Sequence, residues 1–257
     1  MIEFVDTHCH LHFKDYGLDP EQVLASAGEA GVNRMVCVGC SLADSEQAID
    51  FAAPHGGVWA TAGAHPHGAA DFLTDPGAVS KLTELLKRPK VVAVGEIGLD
   101  YYRSTATKTE QEKALRSQIE ISLASGLPYV FHVRDAWEGF WPVFDSYQNV
   151  RGVIHSFSAQ SKQLEQALSR GLYVALNGMV TFTPDRLLLE AAKLVPLDRL
   201  LLETDAPFLT PNPFRGKICE PKHVRNTAEF LADLRGESLE TLAKSSVDNS
   251  LSLFSLQ

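Results

Sequence analysis

Two periodicities alternate along this chain. Short apolar runs with strand character occupy residues 3–7, 35–38, 58–62, 91–95, 129–131, 150–154, 172–176 and 200–203. Helix-like stretches separate them. Asp19-Pro20 opens the first, with Asp as N-cap and Pro in the first turn. Asp75-Pro76 repeats that signal before a helix that reaches about Lys87. Thr109 and Glu112 have capping-box spacing, and Gly126 closes the helix they open. Two helical segments, 222–234 and 238–254, finish the chain. Strand and helix in alternation predict a parallel sheet. Eight such units predict an α/β fold of the (β/α)8 TIM-like barrel kind, a single domain over residues 1–257.

Composition changes this picture little. The chain has 257 residues, 45% of them hydrophobic and 21% charged, as a globular protein has. Its net charge of −9 argues against tight, sequence-independent binding along duplex nucleic acid, which favours a basic stripe. It leaves room for a nuclease, because bound dications supply positive charge where phosphates sit. The four cysteines do not suggest a disulfide framework. Cys37 and Cys40 have redox-motif spacing, but Cys37 lies in an apolar run and reads as core filler. No secretory signal and no apolar stretch of membrane-spanning length is visible, so the expectation is a cytoplasmic protein with no membrane contact and no obligate protein partner.

The chemistry lies at the ends of the apolar runs. His8 and His10 follow the first, Glu96 the fourth, His132 the fifth, His155 the sixth and Asp205 the last. Side chains at the carboxyl ends of barrel strands build one active site. In a strand, i and i+2 share a side, so His8 and His10 can face one ion. Four imidazoles and two carboxylates exceed one tetrahedral ion and suit two divalent ions sharing a carboxylate. Zn, Mg and Mn are all compatible with that donor set. Asp205 can also take a proton from an attacking water. Asp6 and Glu203, acids within apolar strands, read as supports for the ligands, and Asp100 as a loop carboxylate or a further support rather than a ligand. His65 is placed to contact phosphate. Arg134 either binds an anionic substrate or pairs with Asp135 or Glu138. His12, His55 and His223 read as surface residues. The proline-rich stretch 206–221 is expected to lie over the barrel mouth or to be an ordinary loop.

Together these segments resemble the TatD family of metal-dependent deoxyribonucleases, among the amidohydrolase-like barrels. The resemblance runs through Phe-Val-Asp-Thr-His-Cys-His-Leu, Val-Gly-Glu-Ile-Gly-Leu-Asp-Tyr, Pro-Tyr-Val-Phe-His-Val-Arg-Asp-Ala, His-Ser-Phe-Ser, Leu-Leu-Glu-Thr-Asp-Ala-Pro and the closing span from Asn249 to Phe254. It implies that His8, His10 and Asp205 hold one ion, that His132 and His155 hold a second, and that Glu96 bridges. It implies hydrolysis of DNA phosphodiesters; the acidic charge adds single strands or accessible ends as the expected substrate. His12, where the family has Asp or Asn, Ala159 after His-Ser-Phe-Ser, and the span from Lys217 to Pro221 depart from the family pattern. Two other readings stay open. One is a hydrolase of the same fold acting on an ester, amide or lactone, including aminoacyl-tRNA. The other is a non-catalytic subunit of a larger assembly.

Overall fold

The computed structural model describes residues 2–256. Its eight strands form one sheet ordered β1 to β8, and every strand is followed by at least one helix. The strands are β1 (Phe4–Cys9), β2 (Val32–Cys37), β3 (Val58–Ala62), β4 (Val91–Asp100), β5 (Tyr129–Arg134), β6 (Gly152–His155), β7 (Tyr173–Leu176) and β8 (Leu200–Leu202). Helices α1 (Pro20–Glu29) and α2 (Leu42–Ala52) follow the first two strands, and α3 (Ala69–Thr74) and α4 (Ala78–Leu85) follow β3. Next come α5 (Lys108–Ser122), α6 (Trp137–Phe144), α7 (Ser161–Ser169) and α8 (Arg186–Leu194), then α9 (Val224–Arg235) and α10 (Leu239–Phe254) after β8. This is the (β/α)8 barrel that the alternation predicts. By its internal contacts the chain divides into two units, Met1–Cys37 with Ser156–Gln257, and Val38–His155.

In the first unit the opening strand lies between β2 and β8. Cys9 bridges Ala206 in parallel. Asp205 N–H donates to the His8 carbonyl at 2.8 Å and His10 N–H to the Ala206 carbonyl at 2.7 Å. The Thr7 hydroxyl donates to the Leu202 carbonyl at 2.9 Å. Helix α10 packs on β1 and β8. Its Asn249 donates to the carbonyls of Leu197 and Leu200 at 2.8 and 2.9 Å, and its Phe254 is buried. The closing Asn…Phe motif is therefore a fastener between the last helix and the start of β8.

In the second unit β4 departs from expectation. The apolar run ends at Gly95, but the strand continues to Asp100, so Glu96 lies within it rather than at its end. Its register against β5 explains why. Val94 pairs with Tyr129 and Ile97 with Phe131, so two residues of β4 oppose one of β5. This is a bulge at Gly95-Glu96, the device that re-aims a side chain beside an active site. Past it, Ile97 and Leu99 are fully buried and the pairing resumes. Gly98, with φ 149°, has no space for a side chain, since a Cβ there would run into the His132 carbonyl. A similar shift occurs in β1, where Asp6 pairs with Met35 and Cys9 with Cys37, two residues again opposing one around Thr7-His8.

Two capping signals fall elsewhere than expected. Helix α5 starts with a capping box of Thr107 and Glu110, not Thr109 and Glu112. Both pairs have the right spacing. Glu112, however, accepts from the Tyr101 hydroxyl at 3.0 Å. Asp75 does not cap α4. Its carboxylate accepts from Gly77 N–H at 2.8 Å in a local turn, and the helix begins at Ala78.

Candidate metal centre

In the first unit His8, His10 and Asp205 come together. The Nε2 atoms of His8 and His10 lie 3.6 and 3.4 Å from one Asp205 oxygen, Oδ1. Both imidazoles are buried. Asp205 sits just past β8 with φ 61°, a left-handed conformation that costs a non-glycine residue and recurs at functional sites.

The acids around this group support its backbone. Asp6 accepts from His8 N–H at 3.3 Å, from Thr204 N–H at 2.9 Å and from the Thr204 hydroxyl at 2.5 Å. Burial pushes its carboxyl up to about 8 against those hydrogen bonds. It ties the β1 end to the residue preceding Asp205. Glu203 accepts from Ser156 N–H at 2.7 Å and from Asn177 Nδ2 at 3.2 Å, joining the ends of β7 and β8 to the residue after His155. Asp6 and Glu203 are the two strand acids that the sequence reads as supports for the ligands. Thr204 and Asn177 are partners that strand patterning alone does not reveal.

In the second unit three imidazoles surround one oxygen, Oε1 of Glu96. His132 Nδ1 lies 2.7 Å from it, and His65 Nε2 and His155 Nε2 lie 3.6 Å from it. Glu96 is buried, where an uncompensated carboxylate costs several kcal/mol. His132 and His155 are register partners on β5 and β6. His132 also points Nε2 at Asp100 Oδ2, 3.3 Å away. A carboxylate facing each ring nitrogen favours the charged ring. Its pKa is raised accordingly: burial opposes the charge, but Asp100 and Glu96 outweigh it.

Asp100 is buried at the end of β4, not in a loop. Burial disfavours its charge, yet His132, Arg103 N–H, His67 and Tyr102 N–H hold its carboxyl well below the usual carboxylate range. Its contact with His67 Nε2 is 2.9 Å. His65 accepts the His67 N–H on Nδ1 at 3.2 Å, so its proton sits on Nε2, facing Glu96. Burial pushes His65 down to about 3, a neutral imidazole at physiological pH. From the sequence, His65 is expected to contact phosphate. It belongs equally to a group with Glu96 and His132 whose donor atoms lie within 4.8 Å of one another. Arg134 lies over the Tyr102 ring, 4.3 Å from its centroid.

Two histidines expected at the surface are buried, His12 and His223. His12 turns inward after His10 and hydrogen-bonds the Cys37 thiol. His223 Nδ1 accepts the Glu220 N–H at 3.1 Å. His55 is half-buried, donating to the Phe51 carbonyl at 2.7 Å. Cys37 is core, as its sequence context suggests, with its sulfur 3.9 Å from that of Cys9.

Both groups fit divalent cations. Each gathers imidazoles, buried in the first group and buried or half-buried in the second, around a carboxylate oxygen, the nitrogen and oxygen donor set of zinc and its neighbours. Among the described residues, no helix is long and apolar enough to cross a membrane.

Comparison with known proteins agrees with this chemistry. The model of the family described as TatD related DNase matches residues 5–255. The chain is 36% identical over 251 residues to an uncharacterized metal-dependent hydrolase, YabD, of Bacillus subtilis, covering 97% of this chain and 98% of that protein. It is 33% identical to the 3'-5' ssDNA/RNA exonuclease TatD of Shigella flexneri, covering 98% of each. The crystal structure of YJJV, a TatD homolog from Escherichia coli, superposes with a TM-score of 0.92 at 27% identity, covering 100% of this chain and 99% of that one. The chain belongs to the TatD family of metal-dependent hydrolases.

Proposed function

We propose that this protein hydrolyses phosphodiester bonds in DNA, as an exonuclease acting on single-stranded or end-accessible strands with two divalent ions. In this reading His8, His10 and Asp205 hold one ion, His132 and His155 hold the other, and Glu96 serves both. The observation that carries it is the pair of imidazole groups, one gathered on Asp205 and one on Glu96, each ringed by further acids. The relative named as a 3'-5' ssDNA/RNA exonuclease supports the substrate class. The net charge of −9 supports ends and flexible strands over long duplex, since few phosphate contacts are available away from the ions.

Bound divalent ions would supply Lewis acidity to the phosphodiester and acidify the attacking water. The chain's own residues do the rest. Asp205 accepts the proton of the attacking water. His65, neutral and protonated on Nε2, donates to a phosphate oxygen. Arg134, held against Tyr102, offers its planar fork to the same phosphate.

The test uses metal-stripped protein restored with Mg²⁺, Mn²⁺ or Zn²⁺ singly, on end-labelled single- and double-stranded DNA and on RNA. Mononucleotides released stepwise from a terminus are expected. Asp205→Asn should lower turnover by a factor on the order of 100 or more, with a smaller effect on substrate binding. Near-normal turnover of Asp205→Asn at saturating metal would remove its assigned role. No cleavage with any metal, alongside robust ester or lactone hydrolysis, would move the reading to the rival substrate class.

A further inference from the structure

A run of aromatic rings leads from the first metal group out to solvent. Phe13 stacks on the His10 imidazole, with centroids 4.7 Å apart and planes at 16°. Tyr16 lies nearly parallel to Phe13, 6.4 Å away at 20°. Phe208 meets Tyr16 edge-on at 5.5 Å and 89°, and returns to within 6.3 Å of His10. Phe208 is 41% exposed, whereas Ala206 is fully buried two residues before it. Its N–H donates to the Asp205 carbonyl at 2.8 Å, so one tight turn fixes the ring relative to the carboxylate that faces His8 and His10.

An exposed phenylalanine can be an accident of a loose loop. This loop is tied down. Cys219 N–H donates to the Pro207 carbonyl at 3.0 Å, and the Thr210 hydroxyl donates to the Lys217 carbonyl at 2.6 Å. Arg215 donates to the Thr210 carbonyl at 3.1 Å and lies over the Phe182 ring at 3.8 Å. Phe208 is held out, not left out. Arg215 and Lys217 are exposed on the same loop, a local pair of cations in a chain of net charge −9. Flat π faces continuous with a candidate metal group, with exposed cations on the loop that carries Phe208, match a ligand made of planar rings joined by anionic linkers. Unpaired nucleotides have that chemistry. Paired bases inside a duplex hide their faces.

We propose that Tyr16 and Phe208, backed by Phe13, form a stacking subsite for an unpaired base next to the scissile phosphodiester. This rests on the nuclease reading for its substrate class. It supplies a physical reason for preferring single strands, since a base–aromatic stack tolerates any sequence but requires an unstacked base.

The experiment measures equilibrium binding of fluorescein-labelled single-stranded oligonucleotides by anisotropy, using the full chain. One oligonucleotide is intact and a second is abasic at its terminal nucleotide. Phe208→Ala and Tyr16→Ala should each raise Kd for the intact oligonucleotide about tenfold. The abasic oligonucleotide should bind the wild-type chain weakly by a similar factor and lose little more on Phe208→Ala. Phe208→Trp should retain tight binding and Phe208→Leu should not, which separates a π face from apolar bulk and covers the case of a misfolded alanine variant. Equal Kd values for intact and abasic strands, or an unchanged Kd in Phe208→Ala and Tyr16→Ala, would overturn the subsite. Stepwise cleavage without base-dependent binding rejects the subsite and leaves the nuclease reading. Base-dependent binding without cleavage does the reverse, and neither binding nor cleavage rejects both.

Discussion

His132 stands between two carboxylates, and that sandwich carries more information than its position after an apolar run. Glu96 takes one ring nitrogen and Asp100 faces the other. An ion that replaces one of the two protons leaves the other nitrogen donating to a carboxylate, the arrangement that fixes the orientation of a metal-bound histidine. Asp100→Asn should therefore weaken metal binding at this group by about 10–100-fold while leaving the His8, His10 and Asp205 group loaded. Titration calorimetry with Mn²⁺ checks this, and two unchanged affinities would show that Asp100 does not support His132. The sequence names His132 and Glu96 as candidates because each follows an apolar run. It leaves Asp100, four residues past Glu96, between a loop carboxylate and a support, and does not name the ring that it faces. Only the bulge, which lengthens β4, makes it a strand residue beside Arg134 in register.

Elements were legible where the local signal was unambiguous and misplaced where two signals competed. Asp19-Pro20 opens α1 as expected, with the Asp19 carboxylate accepting from two backbone N–H groups. Thr107 and Thr109 both precede a glutamate by three, and nothing local ranks them. His223 shows a different failure. A polar residue between a proline-rich loop and a helix reads as surface, yet its ring is buried as an acceptor for the Glu220 N–H. Burial lowers its pKa below the ordinary 6.5, with Lys222 and Lys217 adding to the effect and Glu220 opposing it. The unfolded chain thus takes up the proton first as pH falls. The neutral ring's contribution is fully present above about pH 6.5 and is lost below it, toward the lowered folded value. Urea unfolding at pH 7, 6 and 5 should show a shallower acid decline for His223→Gln than for the wild-type chain. The difference is at most about 1.4 kcal/mol per pH unit, the limit for one proton. Parallel declines would mean that His223 titrates alike in both states.

The whole molecule was the most legible scale. Eight strand-like runs alternating with helical ones leave few topologies, and a parallel sheet in sequence order is the simplest. Which candidate ligands meet was less accessible, because meeting depends on bulges and on a turn at Asp205 with positive φ, neither of which periodicity reports. Buried acids gathered with imidazoles predict that metal stabilises the fold. Chelation should lower the melting temperature, and readdition should restore it. At free metal 100 times Kd, one site contributes about 2.7 kcal/mol. Scanning calorimetry over a metal titration checks this, and a melting temperature indifferent to chelator and metal alike would argue that neither group is a metal site.

The joining of β1 to β8 has a consequence in time. The backbone bonds that hold His8 and His10 beside their carboxylate come from Asp205 and Ala206. A ribosome adding roughly 5–20 residues per second delivers those partners roughly 10–40 s after the histidines. Until then β1 lacks its partner on that side, and two imidazoles wait without the acid that completes them. On the proposed reading, an ion at this group finds its full donor set only once Asp205 has been made.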